Sequence, residues 1–144
     1  MALSVDTNIV VYSLNRDSDV HQPARAFMEE LSLRTDVVIA EFALVELYLL
    51  IRNPTVFAHP YNASDAASVC ERLRSNPNWQ VVECRPVMSD LWPLAARQDF
   101  PRRRILDARL AFTLLAAGVT ELATRNTKDF DHFGFTRVFD PLGG

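Results

Sequence analysis

Four acids stand where carboxylates are hard to explain by structure alone: Asp6, Glu46, Asp107 and Asp129. Glu46 is the only charge between Phe42 and Ile51, a stretch otherwise built of Phe, Ala, Leu, Val, Tyr and Ile. A helix apolar on every side is expected to be buried on most sides, and an unpaired carboxylate there costs several kcal/mol or stays protonated. Asp107 repeats the pattern, because Asp107, Arg109 and Thr113 are the only polar side chains from Ile105 to Ala117. Each acid also has a structural explanation. Glu46 could pair with a core arginine such as Arg109, Asp107 could answer the dipole of a helix first turn, Asp6 could cap a helix, and Asp129 could serve a turn. Their joint placement argues for chemistry: two acids fall on apolar helices and two at strand ends expected to share one sheet edge. Carboxylates gathered there raise one another's pKa unless a counter-charge is present. A hard, oxygen-seeking cation, Mg²⁺ or Mn²⁺, suits such a donor set, and it suits phosphodiester hydrolysis by activated water. His21, His59 and His132 are scattered and are expected at the surface.

The elements that must position these acids alternate between strand and helix. Ala2–Val5 and Val37–Ala40 are apolar strands, and further strands are expected at Gln80–Glu83, Glu121–Thr124 and near Thr136–Val138. Asp6 to Asn8 offers caps before Ile9–Tyr12. An amphipathic helix runs from near Pro23 to about Arg34, with Ala24, Phe27, Met28 and Leu31 at helical spacing. A second opens at Glu41 and stops at Arg52–Pro54; Pro54 to Pro60 is a loop or short helical turn. Ser64 and Asp65 cap a third through about Ser75. Ser89 to about Gln98 forms a fourth, Asp99–Arg103 a loop, and Arg104–Ala117 a fifth helix ended by Gly118. A turn is expected through Asn126–Asp129 and Gly134. With no repeat or linker in view, residues 1–144 are expected to form one α/β domain, a three-layer α/β/α sandwich around a mainly parallel sheet of about five strands. Ligands of such sheets bind beyond the carboxyl ends of the strands, which is where Asp6, Asn126 and Asp129 fall.

Composition narrows the classes. Hydrophobic residues make up 49% and charged residues 23%, as in a folded protein with a sizeable core. No apolar run spans a bilayer, and Asp6 interrupts any secretory pattern, so a cytoplasmic protein is expected. Cys70 and Cys84 form no metal-binding spacing and are expected to be reduced. The net charge of −3 disfavours a nucleic-acid partner at first sight. Yet Lys128 is the only lysine among fifteen basic residues, and Arg102, Arg103 and Arg104 are consecutive. Arginine forks suit phosphate, so Arg102–Arg104, Arg125 and Lys128 are candidate RNA phosphate contacts, a solvated face being the alternative.

Val5–Ile9, Glu46 in its apolar helix, Asp107–Ala111 and Thr124–Phe130 together resemble the PIN domain, and most closely the VapC-type toxins of toxin–antitoxin pairs. The resemblance runs through the whole chain in order; Arg52–Pro54 also matches part of the toxin family. It implies Mg²⁺- or Mn²⁺-dependent endonucleolytic cleavage of RNA, a homodimer and a small antitoxin partner. Asp6 and Asp107 match the principal metal ligands, and Glu46 and Asp129 match acids that complete the site directly or through water. Asn126 stands where many PIN domains have another aspartate, which argues against a second tightly bound metal. Thr124 matches a hydroxyl position that holds an acid in place. Two other classes are open to the residues: a PIN-like scaffold without activity, and a Mg²⁺-binding receiver-like signalling domain. The latter wants paired acids after the first strand, where this chain has Asp6 alone.

Overall fold

A computed structural model describes residues 2–83 and 86–143. Five strands, β1 (Ala2–Val5), β2 (Val37–Ala40), β3 (Trp79–Val82), β4 (Val119–Ala123) and β5 (Arg137–Phe139), form one sheet in the order β3-β2-β1-β4-β5. Every pairing is parallel. Parallel neighbours need crossovers, which the seven helices supply: α1 (Thr7–Leu14), α2 (His21–Leu33), α3 (Glu41–Ile51), α4 (Ala63–Arg74), α5 (Met88–Ala95), α6 (Arg104–Ala116) and α7 (Thr127–Phe130). Receiver-like folds order their strands 2-1-3-4-5, so this topology removes that alternative.

Strand alternation sorts the core into two layers. Val37 and Ile39 join Leu3, Val5, Ile9, Leu31, Leu47 and Val69 on one face, beneath α1 to α4. Val38 and Ala40 join Leu110, Leu114, Leu122 and Phe130 on the other, beneath α6 and α7, with α5 against α6. Adjacent residues of one strand thus serve opposite faces, as the pleat requires.

Several expected boundaries move by a residue or two. β3 starts at Trp79, β4 at Val119, and the turn expected at Asn126–Asp129 contains a short helix, α7. The first helix turn of α2 begins at His21, so Pro23 sits where its missing N–H costs nothing. Helix α6 ends as expected at Gly118, whose φ of +88° suits a residue without a Cβ. Cys70 is free and its thiol donates to the Leu44 carbonyl (3.4 Å), while Cys84 lies outside the described residues.

The expectation for α3 needs correction. Only Leu44, Leu47 and Ile51 of this helix are buried, whereas Val45 and Leu49 remain 59% and 64% exposed. The helix lies in an outer layer against α1 and α4, so its far side meets solvent despite being apolar. Glu46 is accordingly exposed, and no ion pair joins it to Arg109, whose guanidinium lies over the Phe42 ring (5.5 Å).

Candidate active site

The strand order sets the location. From β1 the chain moves outward to β2 and β3, then returns to the other side of β1 to lay down β4 and β5. The β1/β4 boundary is therefore the topological switch point, where the following loops diverge and leave a crevice. Val5 pairs with Ala123 at the carboxyl ends of these two strands, which sets Asp6 beside Thr124. The Asp6 backbone N–H donates to the Ala123 carbonyl (2.8 Å), closing the register at this point.

Asp6 is buried and Thr124 fully so. The Thr124 hydroxyl donates to Asp6 Oδ2 (2.7 Å) and accepts from the Asn126 N–H (3.0 Å). The Thr124 N–H donates to the Phe139 carbonyl (2.8 Å). One threonine thus ties Asp6 to the loop after β4 and to the edge strand, so the carboxylate has little freedom to rotate. Burial raises the Asp6 pKa, the Thr124 hydrogen bond opposes the rise, and the charge of Glu46 adds to it. Backbone N–H groups of Thr7 and Asn8 also favour the ionised form.

Asp107 lies in the first turn of α6 and is half-buried. Its pKa rises to about 6, first through burial and then through the charges of Asp6, Asp129 and Glu46, with Arg104 opposing. The other three acids singled out in the sequence are therefore within electrostatic reach of Asp107, and Glu46 also of Asp6. They do not close into a cage: among the described residues, no three His, Cys, Asp or Glu side chains stand close enough to hold an ion together.

The basic candidates separate in the structure. Arg104 is partly buried and its Nη2 approaches Asp129 Oδ1 (3.5 Å). Arg125 pairs with Asp140 (3.3 Å) and lies over the Tyr12 ring (5.8 Å), so it fastens the segment after β5 to α1. Arg102, Arg103 and Lys128 are exposed, as is Asn126. Nothing in the sequence distinguished Arg104 from its two neighbours. Its distinguishing mark is spatial, a position one helical turn before Asp107 that also reaches the loop after β4.

The donor chemistry fits a hydrated Mg²⁺ or Mn²⁺. Such an ion keeps several waters and takes only one or two carboxylates directly, so a closed cage is unnecessary. All four acids offer oxygen, and Asp6 and Asp107 each have a raised pKa that a nearby cation would reverse. Two buried oxygens on the residues directly after Asp6, Thr7 Oγ1 and Asn8 Oδ1, have no hydrogen-bond partner among the described residues.

A PIN domain family model matches residues 3–136. The ribonuclease VapC24 of Mycobacterium tuberculosis is 50% identical over 140 residues, covering 97% of both chains. Among solved structures, Mycobacterium tuberculosis VapC20, described as a toxin that cleaves the sarcin–ricin loop, superposes with a TM-score of 0.70 at 18% identity, over 94% of this chain and 97% of its own. FitAcB from Neisseria gonorrhoeae superposes with a TM-score of 0.65 at 20% identity, over 99% of both chains. At those identities the two structures establish the shared fold, while the family model and the 50% identity establish the lineage. The chain belongs to the PIN-domain family, within its VapC-type group.

Proposed function

We propose that this protein is a Mg²⁺- or Mn²⁺-dependent endoribonuclease and the toxin of a toxin–antitoxin pair. The observation that carries the reading is the acidic edge at the switch point, where Asp107 is driven up to about 6 by burial and by three neighbouring acids. Perturbed carboxylates of this kind cluster at functional sites, because like charges raise one another's pKa where no counter-charge is bound. The 50% identity to a ribonuclease over nearly the whole length supports RNA as the substrate.

Asp6 and Asp107 would hold the ion. Its chemistry when bound is to lower the pKa of water and to stabilise charge on the phosphoryl oxygens. Thr124 keeps the Asp6 carboxylate oriented by its 2.7 Å hydrogen bond. Glu46, exposed on α3 and acting by its charge on both acids, would orient the attacking water or accept its proton. Asp129 completes the acidic edge while pairing with Arg104, and Asn126 fixes the Thr124 hydroxyl through its N–H. The absence of a fifth acid at Asn126 favours one tightly bound ion. In-line attack of water would leave a 3′-hydroxyl and a 5′-phosphate.

The partners follow the family. A small antitoxin that binds and blocks the site is the partner that membership of the VapC-type group supports. A homodimer is part of the same reading, and the exposed Val45 and Leu49 on α3 offer apolar surface for a protein partner. A cytoplasmic location belongs to the same proposal. Among the described residues no helix is long and apolar enough to cross a membrane.

The test is cleavage of labelled RNA by purified protein, with added Mn²⁺ and with EDTA. Endonucleolytic fragments in Mn²⁺ and none in EDTA are expected. RNA binding without cleavage under both conditions would instead support the scaffold alternative.

A further inference from the structure

The acidic edge repels the very polymer it is proposed to cut, so affinity for RNA must come from groups beside it. Arg104 leads to one such place. Its guanidinium approaches Asp129 (3.5 Å), and its side chain also lines a cleft of about 390 Å³ with Arg97, Asp99, Phe100, His132 and Phe133, Arg97 pairing with Asp99 at 3.5 Å. Arg104 thus belongs both to this cleft and to the acidic edge. The volume lies in the range of small-ligand sites, about 300–1,000 Å³.

The lining is built rather than incidental. Phe133 is held edge-on by Phe112 (6.0 Å) and by the buried Phe130 (6.2 Å). Phe100 follows a turn closed by its N–H to the Arg97 carbonyl (3.1 Å), and the Arg104 N–H to the Pro101 carbonyl (3.0 Å) joins that turn to α6. Aromatic rings beside guanidinium groups are the combination by which proteins hold unstacked bases of single-stranded nucleic acid. Rings accept the π-face of a base, and arginines track the backbone or stack in turn.

We propose that this cleft binds a nucleobase of single-stranded RNA next to the scissile phosphate, with Arg104 as the wall common to cleft and catalytic edge. The proposal rests on the ribonuclease reading and adds to it where the substrate is gripped. It predicts that the bases, and not the phosphate charge alone, contribute to binding.

Fluorescence anisotropy in EDTA at low ionic strength tests this without cleavage. The probes are a fluorescein-labelled random RNA decamer and an abasic decamer of equal charge. Wild-type protein should prefer the RNA decamer by about 5- to 150-fold, the factor that stacking of one base confers. Phe100→Ala should abolish most of that preference while leaving the abasic affinity unchanged, and Phe100→Tyr should retain it. Equal affinity of wild type for both decamers overturns the proposal, as does an undiminished preference in a Phe100→Ala protein that melts like wild type. If wild type cuts RNA in Mn²⁺ yet shows no base preference, the cleft assignment alone falls. If it neither cuts nor binds RNA, both readings fall.

Discussion

Asp107→Asn is expected to slow Mn²⁺-dependent RNA cleavage by more than about 100-fold, beyond the 10- to 100-fold typical of groups that only support a metal ligand. The same substitution should raise the melting temperature of the metal-free protein at neutral pH. Asp107 titrates near 3.8 when unperturbed and at about 6 in the fold, so the native state binds its proton the more tightly. The ionised group therefore weakens the fold increasingly as pH rises from about 4 to about 6, and the full cost applies above that. A rise from 3.8 to about 6 corresponds at most to about 3 kcal/mol, and partial solvent exposure reduces this to about 1 kcal/mol. For a chain of this length that is roughly 3 °C in Tm. Melts in EDTA at pH 7.5 and pH 4 check it: the gain should be present at the first and absent at the second. An ordinary helix-capping aspartate would show the reverse, losing stability when neutralised. Loss of activity together with a gain of stability marks a side chain retained for chemistry.

Thr124→Val should weaken apparent Mn²⁺ affinity by about 10- to 100-fold with a smaller loss of rate at saturating metal. Valine matches the shape of threonine but lacks the hydroxyl. Asp6 then loses its 2.7 Å donor, the Asn126 N–H loses its acceptor, and the Asp6 carboxyl rises further because the hydrogen bond that opposed the rise is gone. Removing the donor of the buried Asp6 carboxylate also costs stability, about 1–3 kcal/mol, while the exposed Asn126 N–H can turn to water. Thr124→Ser separates the two effects, since it restores the hydroxyl and should return Mn²⁺ affinity close to wild type. A Thr124→Val protein with unchanged Mn²⁺ dependence would show that the hydroxyl serves packing alone.

How much of this was legible in the amino-acid order differs residue by residue. The alternation of apolar strands with amphipathic helices is a local pattern, so the layered α/β fold could be read from it directly. The pairing of Asp6 with Thr124 could not, because it joins positions 118 residues apart and depends on β1 and β4 being neighbours. The resemblance to the PIN domain marked Thr124 as a hydroxyl that holds an acid, and only the strand pairing shows that the acid is Asp6. Glu46 shows the opposite failure. Its apolar surroundings in sequence suggested burial, yet composition does not say which side of a helix meets another element. In the fold, α3 turns Val45, Glu46 and Leu49 outward, and Glu46 matters through its charge on Asp6 and Asp107 instead. The arginine run was likewise uniform in sequence, and only the approach of α6 to the loop after β4 sets Arg104 apart.

The central claim, that Asp6 and Asp107 serve metal-dependent cutting of RNA, is tested most directly by sequencing RNA ends in cells after induction of the wild-type protein and of Asp6→Ala. New 5′-phosphate ends at defined positions are predicted for the wild type and none for Asp6→Ala expressed to the same level. The same new ends from both proteins would contradict the account.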